Sequence, residues 1–334
     1  MDQKILETEK AITFVKYRFT KHLAQQLNLI KVSSPLAVLD GTGINDDLNG
    51  TERPVSFPVK ALGEQKAQVV HSLAKWKRLR LMQLGIEADR GILTDMRALR
   101  PDEDYTNLHS VYVDQWDWEQ HIDARERTLA RLKSTVKRVY EALRCVEMEV
   151  FERYPQILPV LPSEITFIHS QELLVRYPAL SVKEREYIAA KEYGAIFLIG
   201  IGNKLSNGEP HDGRAPDYDD WSSPNEEGYF GLNGDIIVWH PTLECALELS
   251  SMGVRVDRDT LLSQLSVREC PERALLPFHK MLLDGRLPQS IGGGIGQSRV
   301  CMFMLKKRHI GEVQVGIWSD EMREELELAG VSLL

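Results

Sequence analysis

Gly292-Gly293-Gly294-Ile295-Gly296-Gln297-Ser298-Arg299 decides how this chain is read, because the octet ends in an arginine and runs directly into the apolar segment 300–305. Glycines let a backbone approach a ligand closely, and an arginine at the mouth of a following helix offers phosphate a planar fork of donors. The octet therefore reads as a glycine-rich nucleotide loop feeding a helix. Two common phosphate loops do not fit. A Walker loop puts lysine and then a hydroxyl after its last glycine, whereas here the cation is an arginine and comes last. A Rossmann fingerprint opens a βαβ unit and has an acidic residue about 20 positions further on, a context missing here. A plain turn before a core helix would explain the octet equally well. Other residues must decide.

A second constellation lies around residue 100. Arg100-Pro101-Asp102-Glu103-Asp104 leads through a polar loop to His109 and an extended segment ending near Asp117. In a strand, Val111, Val113, Gln115 and Asp117 share a face. An aliphatic wall ending in an amide and a carboxylate suits an adenine plus an amino acid better than a core, since Gln and Asp are rarely buried without partners. A solvated edge strand is the plainer alternative. Asp235 opens one apolar strand, and Glu248 closes the apolar segment 243–249 before a Ser-Ser-Met-Gly turn. Both carboxylates stand where core elements meet a site. In Lys75-Trp76-Lys77-Arg78 the three cations cannot all point inward from a helix, so Lys75 and Arg78 are assigned to a solvated face.

Composition sets the outer limits. The chain has 334 residues, 49 acidic and 41 basic, for a formal charge of −8. That balance argues against a general nucleic-acid binder. No apolar run reaches the roughly 18 residues of a membrane span, and the first residues lack the apolar core of a signal peptide, so a cytoplasmic protein with no membrane partner is expected. The four cysteines show no metal-binding or disulfide spacing and read as reduced thiols. Apolar spacing at Ile12, Val15, Phe19, Leu23 and Leu27 predicts a helix over 8–27, ended by Asn28 and followed by a short extended piece before Pro35. Strands are expected at 55–59, 68–71, 109–118, 165–169, 195–201, 235–240 and 313–318. Helices are expected at 73–83, 125–151, 181–192, near 260–265 and from 299. This irregular mixture favours a single α+β domain over 1–334.

These segments resemble known families. Arg100 with Glu103, His109-x-x-x-Val113 and Asp117 resemble the second signature motif of class II aminoacyl-tRNA synthetases, and 292–299 resembles the third. The helix over 8–27 with Leu29-Ile30-Lys31-Val32 and Pro35 resembles the first. The segments 71–78, 98–104, 109–118, 214–221, 248–253 and 292–299 resemble ammonia-dependent asparagine synthetases more closely still, over nearly the whole chain, which is identified as a member of that family. Two positions depart from the generic synthetase motifs: Val113 replaces a phenylalanine that stacks on adenine, and Asn28 replaces a glycine.

The resemblance implies an α+β, class II synthetase-like catalytic core with a mostly antiparallel sheet flanked by helices, forming a homodimer through the 8–27 helix. It implies ATP as substrate, Mg2+ as cofactor, and amidation of L-aspartate by ammonia through β-aspartyl-AMP, releasing AMP and pyrophosphate. Arg100 and Arg299 would act on the phosphates, with Glu103, Val113, Gly292 and Gly294 shaping the nucleotide site and Asp235 and Glu248 holding the metal. Lys77 and Arg255 would take the α-carboxylate. Asp46, Gln115, Asp117 and Asp219 would bind the ammonium group and guide ammonia, with hydrogen bonds from Ser72 and Ser251. No cysteine occupies a recognisable nucleophile motif of the kind glutamine-dependent enzymes require, so free ammonia is the expected nitrogen donor. The alternatives are an aspartyl- or asparaginyl-tRNA synthetase-like adenylating relative and a non-catalytic, amino-acid-binding regulatory paralogue.

Overall fold

The first helix, α1 (Gln3–Leu27), buries the stripe Ile12, Val15, Phe19, Leu23 and Leu27 and is followed by Asn28 at φ 54°. The structure is a computed structural model and describes residues 3–46, 48 and 52–334. After α1 come β1 (Leu29–Lys31), β2 (Ala37–Leu39), β3 (Ser56–Val59), β4 (Gln65–Val69), α2 (Ala74–Leu84), β5 (Gly91–Leu99) and β6 (Tyr112–His121). The middle holds α3 (Leu129–Arg153), β7 (Thr166–His169), α4 (Ser170–Arg176), α5 (Val182–Tyr193), β8 (Ala195–Ile199), β9 (Asn233–His240) and β10 (Cys245–Val254). Last are α6 (Arg258–Val267), α7 (Pro277–Leu283), β11 (Ser290–Gly296), α8 (Gln297–Met304) and α9 (Asp320–Leu328).

Among the described residues, eight strands form one sheet in the order β1-β5-β6-β11-β10-β9-β8-β7, and β2, β4 and β3 form a small separate one. Pairing in the large sheet is antiparallel except at its two ends, where β1 joins β5 and β7 joins β8 in parallel. One face carries the main core. Trp116 and Trp118 of β6 point into it and meet α1, α3 and α8, with Phe19 and Trp116 centred 4.4 Å apart. Period-two alternation then sends Val113, Gln115, Asp117 and Glu119 to the opposite face. On that side α2 crosses β6 and β11, while α5 packs on β9 and β10 over a smaller cluster that includes Ile168, Ala189, Ile196 and Ile237.

Several expectations change here. The glycine octet is no loop: Gly292 to Gly296 belong to β11, between β6 and β10, and the helix begins at Gln297. Composition hid this strand, because glycine is disfavoured in strands unless a neighbour needs the room. Here the neighbour is Glu119, whose carboxylate occupies the space where a Cβ on Gly292 would stand. The strand β5 went unseen, and the supposed turn after Glu248 is the second half of the strand β10, with an irregularity between Glu248 and Ser250. Segment 313–318 is not a strand. After the short turn of helix Ile310–Glu312 it runs irregularly, with Gly311 and Gly316 packed against the buried ring of Trp318. His109 precedes β6 in a tight turn. The stripe of α1 is spent on this chain's own core, so any interface made by α1 must use its other faces.

Gly292→Ala tests the close approach. The added methyl would displace the Glu119 carboxylate and lie 2.6 Å from Nη2 of Arg255. Overpacking of this kind costs about 1–3 kcal/mol, read as a lower midpoint in urea unfolding; an unchanged midpoint would refute the packing account.

Candidate active site

The face of β6, β11 and β10 opposite the main core forms the floor of a cleft of about 470 Å³. Its floor is charged, and the charges are paired. Arg255, at the end of β10, is buried and grips Glu119 with two sides of its guanidinium, Nε to Oε1 at 3.0 Å and Nη2 to Oε2 at 2.8 Å. Its Nη1 donates to Asp219. Ser290 donates to the same Glu119 at 2.7 Å. Burial alone would lower the Arg255 pKa, but Glu119 and Asp219 outweigh it and hold the guanidinium firmly charged. The alternation continues as Arg214 reaches Asp235 at 2.6 Å and lies 3.7 Å from Asp219.

Lys77, on α2, is buried and donates to Asp117 and to the carbonyl of Gly293, the latter at 2.8 Å. Burial lowers its pKa, opposed by Asp117. An ammonium has three donors, so one remains for a ligand. Oδ2 of Asp117 is buried with no hydrogen-bond partner among the described residues. Gln115 lies one pleat from Asp117 and fills the space beside Gly294. Asp46 is buried at the cleft wall, where its carboxylate accepts from the backbone of Leu48 at 3.0 Å and its carbonyl meets Nδ1 of His71 at 3.1 Å. Ser72 and Ser251 also line the cleft, Ser251 opposite Asp235 in the strand register.

At the other end, Arg100 reaches the carbonyl of His71 at 3.3 Å, and its buried Nε has no hydrogen-bond partner among the described residues. Asp102, two residues further on, binds Arg53. Glu103 and Val113 line the wall beside Arg100. Arg299 sits in the first turn of α8, donating to the carbonyl of Glu248 at 3.1 Å and to His109 at 2.8 Å. The start of α8 is fixed from beneath: Asp114 accepts from the Ser298 backbone at 2.9 Å and its hydroxyl at 2.7 Å. A carboxylate there also favours the positive end of the helix.

Asp235 and Glu248 stand on neighbouring strands, close enough for Glu248 to affect the titration of Asp235. Burial pushes the Asp235 carboxyl up to about 7, and Glu248 adds to the rise against the pull of Arg214. Two like charges held together suit a shared cation. Among the described residues no cluster of three or more His, Cys, Asp or Glu could hold a metal. Two carboxylates without a third fit magnesium, which dehydrates reluctantly and takes its other ligands from water and phosphates.

The expected site residues therefore converge on one cleft, except that Asp235 and Gly292 are not among the residues that line it. The assignment of Lys75 and Arg78 to a solvated face was wrong. Lys75 is buried 2.8 Å from Asp217, which also meets His279 at 2.9 Å. Arg78 spans to the carbonyls of Pro288 and Val256 at 2.8 and 2.6 Å. A helix can bury three cations within about one turn when tertiary partners surround it, which spacing alone does not reveal. Glu119, Arg214 and His109 received no role from the sequence. Glu119 had a usable signal, being the next inward position after Asp117.

The fold's class is shown by solved structures. Asparaginyl-tRNA synthetase from Pyrococcus horikoshii, complexed with asparaginyl-adenylate, superposes with a TM-score of 0.66 at 16% identity, over 92% of this chain and 68% of that one. The architecture is that of a class II aminoacyl-tRNA synthetase catalytic core. Residues 6–330 match the aspartate-ammonia ligase family model. An aspartate–ammonia ligase of Parabacteroides distasonis is 56% identical over 98% of this chain and 95% of its own length, and one of Clostridium perfringens strain 13 is 55% identical over the same shares. The chain belongs to the aspartate–ammonia ligase family.

Asp217→Asn would leave the Lys75 ammonium buried without its counter-charge. Removing one partner of a buried pair costs about 3–5 kcal/mol, so the variant should unfold at much lower urea. A variant as stable as the parent would show that Asp217 is not the charge that holds Lys75.

Proposed function

We propose that this cleft converts L-aspartate, ATP and ammonia to L-asparagine, AMP and pyrophosphate. The observation that carries the proposal is the charge layout: paired, buried charges at one end of the cleft, and at the other two arginines hydrogen-bonded, among the described residues, to carbonyls and an imidazole, with the Glu248 carboxylate 3.9 Å from Arg299. The first end suits a zwitterion and the second a polyphosphate.

Aspartate lies with its α-carboxylate toward Lys77 and Arg255 and its ammonium toward Asp117 and the Asp46, Gln115 and Asp219 group. Its β-carboxylate then faces the nucleotide. An oxygen of that carboxylate attacks the α-phosphorus, the bond to the bridging oxygen breaks, and pyrophosphate departs. Arg100 offsets charge on the α-phosphoryl group. Arg299 takes the distal phosphates and one face of the adenine, with Val113 supplying aliphatic packing and Glu103 closing the wall. Magnesium held by Asp235 and Glu248, when bound, neutralises phosphate charge. Ammonia then attacks the β-carbonyl carbon, AMP leaves, and the surplus proton passes to a carboxylate, for which Asp46 and Asp219 are the candidates. Ser72 and Ser251 add hydrogen bonds, and Gly294 leaves room for Gln115.

A homodimer and a cytoplasmic setting belong to the same proposal. Tyr17 of α1 and Ile30 of β1 are exposed and would be covered in such a dimer. No helix among the described residues is long and apolar enough to cross a membrane.

The direct test is to incubate the protein with aspartate, ATP, magnesium and ammonium chloride and follow asparagine and AMP. Equal amounts of the two support the proposal, whereas AMP without asparagine, or no turnover, sinks it. Arg100→Ala should lower the rate on the order of 100-fold or more, measured as asparagine formed at saturating aspartate. Asp46→Asn should still make the adenylate, seen as pyrophosphate release, yet fail to pass it to ammonia. Unchanged kinetics would remove Asp46 from that step.

A further inference from the structure

The segment 216–222 carries Asp219 into the cleft and is irregular apart from one bridge, between Asp219 and Arg255. On one side its backbone is paired: the carbonyl of Tyr218 accepts from Val256 and the amide of Asp220 donates to Val254, both at 2.9 Å. Backbone groups alternate sides along an extended chain, so the carbonyl of Asp219 and the amide of Trp221 point the other way. Buried backbone groups need partners, and here a single side chain supplies them.

That side chain is Gln264 of α6. Its Nε2 donates to the carbonyls of Asp219 and Pro216, both at 2.9 Å, and its Oε1 accepts from the amide of Trp221 at 2.9 Å and the hydroxyl of Ser222 at 3.0 Å. A carboxamide has two donors and two acceptor positions, and all four are filled from this one short segment. Gln264 is fully buried, so water does not compete for them. The helix that carries it starts beside the site: Asp257, two residues after Arg255, caps α6 by accepting from the Thr260 backbone at 2.9 Å. The clamp on Asp219 and the guanidinium that Asp219 binds thus share one short connection.

Asp219 needs such a clamp. Its carboxylate accepts from Nη1 of Arg255 and packs over Gly253, where a Cβ would come 2.8 Å from Oδ1. An irregular chain free on one side would let that carboxylate turn wholly onto Arg255. We infer that Gln264 is a positioning residue for aspartate: its amide takes the place of a neighbouring strand and holds Asp219 so that the carboxylate is shared between Arg255 and the substrate's ammonium group. This holds only if Asp219 contacts that ammonium, and the experiment tells the two apart.

In the full-length protein, aspartate-dependent exchange of pyrophosphate into ATP gives the KM for aspartate and for ATP with no ammonia in the assay. Gln264→Met, Gln264→Glu, Asp219→Ala and the double variant Gln264→Met/Asp219→Ala are compared with the parent. Gln264→Met keeps the volume and loses the hydrogen bonds, and it should raise the KM for aspartate about tenfold, with the KM for ATP unchanged. Adding it to Asp219→Ala should raise the KM for aspartate no further, because a residue that acts through Asp219 has no effect once that side chain is gone. Gln264→Glu keeps the acceptor for Trp221 and sets a second oxygen against the two carbonyls. A buried carboxyl is readily protonated, and protonation restores a donor. Its KM for aspartate, as a ratio to the parent's, should therefore fall toward 1 as pH is lowered.

An unchanged KM for aspartate in Gln264→Met would overturn the inference, as would an equal rise in both KM values, the mark of general loosening. Additive losses in the double variant would also overturn it. Should Gln264→Met fail to fold, Gln264→Glu decides alone, and a ratio that does not move with pH counts against the clamp. If Asp219→Ala leaves the KM for aspartate unaltered, the ammonium role of Asp219 fails and takes the inference with it. If Asp219→Ala raises it and the Gln264 variants do not, only the role of Gln264 fails.

Discussion

The buried ion pair between Glu119 and Arg255 is the constraint around which the site is built. A carboxylate and a guanidinium out of water are tolerated only when geometry is good and the leftover hydrogen-bonding positions are filled. The two parallel donors of Arg255, the hydroxyl of Ser290 and the link to Asp219 meet that requirement. The pair also needs space, and the neighbouring strand β11 supplies it by carrying glycine at 292, opposite Glu119 in the register. The most conspicuous sequence feature is thus explained by a protein carboxylate, with the ligand's own need for room a second matter.

From that pair, charge alternates outward through Asp219, Arg214 and Asp235, while Lys77 and Asp117 form a second pair on the same floor. Fixed charges of both signs at one end of the cleft suit a zwitterion, because each end of the amino acid meets a partner whose position was set in folding. The other end of the cleft, proposed for the nucleotide, is built on the opposite plan. Arg100 and Arg299 are oriented by carbonyls and an imidazole and keep their charge available. Preorganised charge that needs no rearrangement is the main device by which a site of this type accelerates phosphoryl chemistry.

The framework that carries these groups is divided by the alternation of β6. Its even positions, Trp116 and Trp118, belong to the core with α1, α3 and α8, and its odd positions form the cleft floor. A shift of one residue in register would exchange tryptophans for carboxylates. The tryptophan packing therefore fixes the functional face as strictly as any contact within the cleft. Asp114 departs from the core pattern with a purpose, tying the start of α8, and so Arg299, to the same strand.

Much of this was legible in the sequence. The helical stripe ended by Asn28 and the shared face of Val113, Gln115 and Asp117 follow from local spacing and residue chemistry, which sequence records directly, and the family resemblance is carried by residues 71–78, 98–104, 109–118, 214–221, 248–253 and 292–299. Only tertiary structure decided that the glycines form a strand, that Glu248 sits within a strand, and that Lys75 and Arg78 are buried. It alone brought His109 to Arg299 and Glu119 to Arg255. The physical reason is common to all of these: a glycine's neighbour, or a buried cation's partner, is supplied by a segment far away in the chain, and a local pattern cannot say which distant group will occupy the space it leaves.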